Sequence, residues 1–286
     1  MTQDARRPLH RLSPLHDDPA SAWLSPLQLT RVAMAGWFIW LLFVIVVVVA
    51  FCGGVVFAAR TIIFAGLRMP LIGTIMVAVF LWWPTHRLVW RRRSAKATAL
   101  VNDSARSFGV AIDDFADLER QPDGAIVSIV GWIRARGQLA QRVGGERCVG
   151  LALACQQRFP GLLETLNDFD LVDEAGNTVF VQVAGARMFG DPNVNLTNAN
   201  ERMLLVASLD LPVGAVATGW DVLVLRDGDP VMAIGFKQTA LDPAQASLRG
   251  PSTRASVGSL PPKPLLIFPI AAERRPQSVA GMFDLS

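Results

Sequence analysis

The 286-residue chain contains no tyrosine, and it has only three histidines and three cysteines. His10, His16 and His86 all lie in the first third of the chain, so the remainder cannot build a Ser–His or Cys–His nucleophile pair or a zinc site of the usual ligands. The sparse, odd cysteine count argues against a disulfide framework. We expect Cys148 and Cys155 to be buried thiols, with pairing in an oxidising compartment as the alternative.

Phosphate-binding loops are also missing. The chain has no Gly-x-x-x-x-Gly-Lys-Ser/Thr motif and no Gly-x-Gly-x-x-Gly turn, which excludes the common nucleotide-binding signatures. We therefore expect no cofactor.

Charge is distributed unevenly along the chain. Residues 1–100 hold eleven basic and three acidic residues, a net charge of +8, whereas residues 101–286 hold sixteen basic and twenty-one acidic residues, a net charge of −5. A nucleic-acid-binding domain normally carries a basic surface of its own, so nucleic-acid binding is not expected. Arginine outnumbers lysine twenty-four to three, a bias typical of GC-rich bacterial genomes.

Two long apolar runs lie near the N-terminus. No charged residue occurs from Val32 to Ala59 or from Met69 to Thr85, and about 20 apolar residues suffice for a helix to cross a bilayer. Tryptophans, which favour the headgroup level, stand near the ends of the runs. We predict a membrane anchor at residues 32–90 with helices at about 34–58 and 69–89. The alternative, two buried helices of a soluble core, would require much more protein to cover them.

The basic residues around the runs predict the orientation of this hairpin. Arginines and lysines concentrate on the cytoplasmic side of a membrane. Four arginines precede the first run, and only Arg60 and Arg68 lie between the two runs. Five basic residues surround the end of the second run: Arg87, Arg91, Arg92, Arg93 and Lys96. We therefore expect a bacterial inner-membrane protein with both termini and the soluble domain in the cytoplasm.

The cluster Arg91, Arg92 and Arg93 has two interpretations. It can hold anionic lipid headgroups, with each contact contributing about 1 kcal/mol. A stop-transfer role explains it equally well.

Outside the anchor, the composition predicts four further segments. These are a disordered tail at residues 1–31, a basic juxtamembrane segment and helical stalk at 91–120, a β-rich domain at 121–240, and an irregular Pro/Ser/Gly-rich tail at 241–286. Within the last of these, the apolar stretch Pro264–Ile270 is expected to pack back on the domain.

The β prediction depends on short β-branched runs separated by turn residues. Ala125–Ile133 and Cys148–Cys155 are typical strands. Asp168–Val172 and Thr178–Val183 flank an acidic Gly/Asn turn and predict a hairpin, and Val222–Leu225 with Val231–Phe236 predict a second one. The expected soluble fold is a small β-barrel, OB-like, or a sandwich.

Four short segments carry a family resemblance: Ile126–Ile133 with its Val-Gly pair, Cys148-Val149, Phe169–Asp173 followed by Gly176 and Val179, and Gly228–Val231 leading to Gly235. Together with two neighbouring spans, they resemble the GIDE or BAM (beside-a-membrane) domain of mitochondrial membrane ubiquitin ligases. The zinc-binding RING of those ligases has no counterpart here, so ligase activity is not implied. The chain is also similar, more weakly, to membrane-anchored OB-barrel proteins of the NfeD type.

Two polar groups are candidates for chemistry. Asp113 and Asp114, with Asp117 and Glu119, could perform acid–base work or hold a divalent cation, although a solvated acidic helix end is the commoner explanation. The oxygen-rich stretch 190–200 could bind Ca²⁺ or a sugar, but Asn, Gly and Pro also simply form turns.

Three functions fit these observations. The leading hypothesis is a non-enzymatic, membrane-anchored interaction or scaffold module whose cytosolic β domain recruits a protein partner. The second is a membrane-bound enzyme that depends on carboxylates or a metal. The third is an accessory subunit of a transport or secretion complex, in which glycines of the spans allow close helix contact.

Overall fold

The computed structural model describes residues 18–61, 68–137, 139, 142–143, 145–155, 162–196, 198–209, 220–241 and 253–270. These residues form two compact units, which divide between Leu100 and Val101.

The helices and strands follow one another in this order. The first unit holds a 3₁₀ helix at Pro19–Trp23, α1 at Pro26–Met34, α2 at Trp37–Thr61 and most of α3, Arg68–Phe108. The second unit begins with the end of α3 and continues with β1 Val110–Ile112, a 3₁₀ helix Phe115–Arg120, β2 Ile126–Ala135, β3 Arg142–Val143, β4 Glu146–Arg147, β5 Gly150–Cys155, β6 Leu162–Leu166, β7 Phe169–Val172, β8 Thr178–Val181, β9 Arg187–Met188, β10 Val194–Asn195, α4 Ala199–Ser208, β11 Trp220–Leu225, β12 Pro230–Leu241, β13 Thr253–Gly258 and β14 Leu266–Pro269.

The first unit contains the two apolar helices that the sequence predicts. The stretches Pro26–Val56 and Leu71–Phe108 are long and apolar enough to cross a membrane, by length and composition. In the most apolar part of the first stretch, no residue is buried by the rest of the chain. The structure therefore confirms two long apolar helices.

A break separates α1 from α2. α1 begins with a capping box, in which the Ser25 hydroxyl accepts from the Gln28 amide and the Gln28 side chain accepts from the Ser25 amide, and Pro26 occupies the first turn, where a missing N–H is harmless. Gly36 follows the end of α1 with φ +87°, a conformation that favours glycine. A Cβ at this position would also lie 3.0 Å from Val89 of α3, so the glycine lets the α1–α2 junction approach α3 closely.

Part of the predicted N-terminal tail is ordered. Ala20 and Trp23 of the first 3₁₀ helix are 0% and 2% exposed, and α1 follows directly. Residues 18–31 therefore differ from the disordered tail predicted for 1–31, because Trp23 supplies enough apolar surface to pack. Residues 1–17 lie outside the described residues.

The segment after the second apolar run is helical as far as Phe108. From there the chain turns into β1, which pairs in parallel with β2, and then into the second 3₁₀ helix. The predicted stalk at 91–120 thus holds two kinds of structure, since β1 depends on a partner strand that lies later in the sequence.

The second unit is built around a closed five-stranded barrel. Each strand pairs with the next in the order β2–β7–β8–β13–β12, and β12 returns to β2, with Gly235 opposite Val127. Only β8 and β13 run parallel. Alternate side chains from the barrel strands fill its core: Val127, Ile129, Phe169, Leu171, Val179, Val181, Val231, Ala233 and Val257. Of the predicted alternatives, barrel and sandwich, the structure forms the barrel.

β13 and β14 belong to the region predicted as an irregular tail. Thr253–Gly258 pairs with both β8 and β12 and thereby closes the barrel. Leu266–Pro269 extends the sheet beside the first half of β12, and Leu265, Leu266 and Ile267 are 0% exposed. The expectation that Pro264–Ile270 packs back is confirmed, but the domain reaches Ile270 instead of ending at residue 240.

A second, four-stranded sheet lies against the barrel in the order β10–β11–β5–β6. Both faces of β11 are buried: Leu223 and Leu225 join the barrel core, whereas Val222 and Val224 pack with α4. Burial on both faces explains why this strand is continuously apolar.

This arrangement contradicts the second predicted hairpin. β11 pairs with β5 and β10, whereas β12 pairs with β2, β13 and β14. The turn between β11 and β12 is hydrogen-bonded to β2. The Gly228 amide donates to the Ile133 carbonyl, and the Ile133 amide donates to the Asp229 carbonyl. The turn therefore carries the chain from one sheet to the other. The first predicted hairpin is correct, with β7 and β8 paired from Phe169↔Val181 to Val172↔Thr178.

Candidate functional site

The predicted acidic group is spread over a turn and a short helix. Asp114 caps the second 3₁₀ helix by accepting from the Ala116 amide at 2.8 Å, and it also accepts from the Asn177 side chain. Asp117 pairs with Arg120 on the surface. Within the described part of the chain, no group of three or more His, Cys, Asp or Glu is arranged to hold a metal ion. Asp114 thus lies at a helix end, which agrees with the commoner explanation above, and its contact with Asn177 is a structural role that the sequence did not specify.

Asp173 is the buried centre of the same region. Its carboxylate is shielded from solvent and accepts from the Phe115 amide, the Asn177 amide and the Asn177 side chain at 3.1, 2.7 and 3.0 Å. The β7–β8 turn is therefore bound to the start of the 3₁₀ helix. The sequence showed Asp173 only as a turn residue, since its partner Phe115 lies far away in the chain.

The asparagine-rich stretch 190–200 supports secondary structure. The Asn193 side chain donates to the Val224 carbonyl at 2.7 Å and accepts from the Val224 amide at 2.8 Å, so it acts as an extra backbone unit beside β11. Asn198 caps α4 by accepting from the Asn200 amide. These two amides are engaged in folding contacts, and Thr197 lies outside the described residues.

Cys148 is fully buried in the core between the second sheet and α4. Burial raises the pKa of its thiol and outweighs the opposing effect of the nearby Arg226 guanidinium. A thiol in this setting packs as an apolar group, as predicted. The side chain of Cys155 lies outside the described residues.

An arginine–carboxylate–arginine cluster, absent from the sequence predictions, lies on the outer face of the barrel. Arg136 Nε donates to Asp170 Oδ2 at 3.0 Å, and Arg254 Nη1 lies 3.4 Å from Asp170 Oδ1. The side chains are only 20%, 12% and 16% exposed for Arg136, Asp170 and Arg254. Arg136 also stacks over the Phe180 ring, with its Cζ 4.3 Å from the ring centroid. The cluster joins the end of β2 to β7, β8 and β13.

Two further ion pairs connect segments of the β domain that are distant in the sequence. Glu164 of β6 accepts from the Met188 amide and pairs with Arg187, which links the second sheet to β9. Lys237 of β12, which is 8% exposed, donates to Asp123. That hydrogen bond lowers the pKa of the Asp123 carboxyl below its ordinary value of 3.8. The lysine directly after the apolar run Val231–Phe236 was a signal for such a pair, but the sequence did not identify Asp123.

The helical hairpin carries the remaining predicted site, Arg91–Arg93. Arg93 is half-buried and its Nε donates to the Ala35 carbonyl, at the end of α1, at 3.0 Å. Arg92 is exposed, and Arg91 is partly buried. The three arginines therefore differ in exposure, and Arg93 is held at the junction between α1 and α2.

Next to this junction, aromatic side chains of α2 contact aromatic side chains of α3. The Trp40 and Trp82 centroids are 5.0 Å apart, and Phe43 lies 6.1 Å from Trp82. His86 stacks on Trp82 at 6.2 Å. Trp82, His86, Val89 and Arg93 follow helical spacing and so share one face of α3. This face meets Gly36, which lies between α1 and α2, and Trp40 of α2.

The comparisons with known proteins give no family for the chain. No family model, no curated protein and no solved structure matches it.

Proposed function

We propose that this protein is a membrane-anchored interaction module, with its helical hairpin in a bacterial inner membrane and its β domain available to a protein partner. The observation that carries the proposal is the apolar surface of the hairpin. Phe38, Leu42 and Phe80 are 76%, 63% and 81% exposed, and similar side chains surround them. Soluble monomers seldom expose apolar patches larger than a few hundred Å², whereas a bilayer covers such a surface favourably.

The proposed orientation puts both termini in the cytoplasm. It is supported by the basic residues at the ends of the apolar runs, with Arg87, Arg91–Arg93 and Lys96 around the end of the second run and only Arg60 and Arg68 between the two runs. Basic residues concentrate on the cytoplasmic side of a membrane.

The connectivity of the barrel supports an OB-type assignment. Numbered along the chain, the five barrel strands neighbour one another in the cyclic order first, second, third, fifth, fourth, and the third and fifth are parallel. An OB fold is a five-stranded Greek-key barrel. We propose kinship with the GIDE/BAM or NfeD-type domains on this ground. Three of the four segments that carry the resemblance lie in the barrel, at β2, at β7 with β8, and at the start of β12, whereas Cys148-Val149 directly precedes β5 of the second sheet.

An interaction role for the β domain is supported by how its polar groups are used. The predicted carboxylates and asparagines cap helices and turns, as described above for Asp114, Asn193 and Asn198. On α4, in contrast, Met203 and Leu204 are 55% and 70% exposed. Methionine is enriched in protein interfaces, and these two positions are the first places to look for a partner.

The anchor is tested by alkaline extraction and by protease treatment. The protein should remain in the membrane fraction after a carbonate wash, and protease added outside intact cells should leave the β domain whole. Its digestion from outside would refute the cytoplasmic orientation, and its release by carbonate would refute the anchor.

The interaction role is tested by photo-crosslinking in native membranes. A crosslinking amino acid at Met203 or Leu204 should give a discrete adduct, whereas the same group at the exposed Glu174 serves as the matched control. Equal labelling at all three positions would contradict a specific contact on α4.

A further inference from the structure

We propose that Arg93 is the specific ligand of an anionic phospholipid headgroup at the junction of α1 and α2. This inference depends on the membrane anchoring proposed above, and it assigns to one arginine a role that the sequence spreads over three.

The first argument is that the Arg93 side chain is already positioned. Its Nε donates to the Ala35 carbonyl at 3.0 Å, at the carbonyl end of α1, where a cation is favoured. A guanidinium that uses Nε in this way still presents the edge formed by its two Nη groups. That edge matches two phosphate oxygens in a bidentate contact. Little side-chain freedom remains to be lost when the phosphate binds.

The second argument concerns counter-charges. Asp18 is the single acidic residue among residues 18–61 and 68–100, the described part of the first unit, and it accepts from the Ala20 amide as the cap of the first 3₁₀ helix. No described carboxylate forms a salt bridge with Arg93. The half-buried guanidinium of Arg93 therefore offers a favourable binding site to an external anion.

The third argument is the surrounding surface, which fits a lipid better than a soluble phosphate. Trp37 and Phe38, which begin α2 just after the junction, are 53% and 76% exposed, and the Trp40–Trp82–His86 stack continues along the helices. Tryptophan rings favour the headgroup level of a bilayer. An arginine at the polar end of an exposed aromatic surface matches a molecule that has a phosphate above two acyl chains.

The matched control is Arg92. It lies one residue away and carries the same charge, but it is exposed and has no contact with Ala35. If the arginines act only by diffuse attraction to an anionic surface, Arg92→Ala and Arg93→Ala should lose equal affinity for anionic lipid. A positioned headgroup ligand predicts a larger loss for Arg93→Ala.

The experiment uses the full chain, purified in an uncharged detergent, with bound lipids counted by native mass spectrometry. Dioleoylphosphatidylglycerol and dioleoylphosphatidylcholine are titrated separately. We expect Arg93→Ala to weaken phosphatidylglycerol binding about fivefold, the effect of one basic side chain at a lipid surface, and Arg92→Ala to weaken it less than twofold. Phosphatidylcholine binding should not change in either variant.

Inorganic phosphate added at the same concentration should not displace the lipid. Displacement would assign the site to free anions and overturn the proposal, and so would equal losses in the two variants. If Arg93→Ala loses helical circular dichroism, Arg93→Gln replaces it, since glutamine keeps a donor for the Ala35 carbonyl without the charge. Full phosphatidylglycerol selectivity in that variant would also overturn the proposal.

Failure of the anchor itself would be visible separately. In that case the wild-type protein would be released by carbonate, whatever its lipid preference in detergent.

Discussion

Gly235 is a position at which a single added methyl group would clash with neighbouring strands of the barrel. β12 pairs with β14 up to Ile234 and with β13 from Phe236 onward, so two neighbouring strands converge beside Gly235. A Cβ there would lie 2.8 Å from the Gly258 carbonyl oxygen and 2.6 Å from Leu265 Cδ1. The first of these atoms is backbone, and the second belongs to a side chain that is 0% exposed.

The expected cost of Gly235→Ala follows from two opposing effects. Overpacking of a core position costs about 1–3 kcal/mol, whereas replacing a strand glycine by alanine recovers about 0.5–1 kcal/mol of backbone entropy. The upper part of the overpacking range applies, because the close backbone oxygen cannot move aside as a flexible side chain could, so the net loss of unfolding free energy is about 1–2 kcal/mol. In Gly137→Ala, the matched control, the new Cβ meets only Asn167 Nδ2 at 3.7 Å, an ordinary contact, so we expect no loss.

Amide hydrogen exchange measures this difference in the intact chain, since it reports on β-strand opening separately from the helical hairpin. The slowest amides of β2, β12 and β13 should exchange about 5- to 30-fold faster in Gly235→Ala than in the wild type. In Gly137→Ala they should exchange at the wild-type rate or more slowly. Unchanged protection in Gly235→Ala would refute the close approach of β13 and β14 at this glycine.

Three further variants test the polar contacts. Asp170→Ala leaves Arg136 and Arg254 largely buried without their shared carboxylate and should destabilise the β domain by about 3–5 kcal/mol, whereas a loss below about 1 kcal/mol in a urea melt would show that the cluster is a surface contact. Asp123→Asn removes the charge that pairs with Lys237 and should lower the urea midpoint of unfolding at pH 7. Because the pKa of the Asp123 carboxyl is lowered in the folded state, its contribution to stability is lost as the pH falls below 3.8 through the folded-state pKa, and the variant should then match the wild type. A difference that persists at pH 2 would contradict the Lys237 pair as its cause. In a Cys52→Ser, Cys155→Ser background, the buried Cys148 should react with maleimide at least about a hundredfold more slowly in the folded protein than in urea, and rapid labelling of the folded protein would contradict its burial.

The local parts of this fold could be predicted, whereas the parts that depend on distant strands could not. The apolar helices and the β7–β8 hairpin are encoded in continuous stretches, the latter by the turn from Asp173 to Asn177. β13 was missed because Thr253–Gly258 is short and contains Arg254 and Ser256, and its stability comes from pairing with β8 and β12. The second hairpin was predicted wrongly because the turn at Gly228-Asp229 has the same residue types whether it joins two paired strands or two different sheets.

The polar sites follow the same rule. Caps such as Asn198 on α4 depend on residues two or three positions away, and their residue types already indicate this role. The arginine–carboxylate–arginine cluster joins Asp170 of β7, Arg254 of β13 and Arg136, the residue just after β2, so its members meet only after the barrel has closed. For the same reason, Arg91, Arg92 and Arg93 look equivalent in the sequence, and only the packing of α1 against α3 distinguishes Arg93.

The opposite charges of the two parts of the chain bear on the proposed function. In the proposed orientation, an anionic cytoplasmic leaflet attracts the basic residues that flank the hairpin, at about 1 kcal/mol each. The same leaflet repels the segment 101–286, whose net charge is −5, over a screening length of about 8 Å at physiological salt. In that orientation, the attraction would hold the flanking basic residues at the lipid headgroups, and the repulsion would disfavour contact between lipid and the acidic segment. An acidic segment of this kind would attract basic protein partners most strongly.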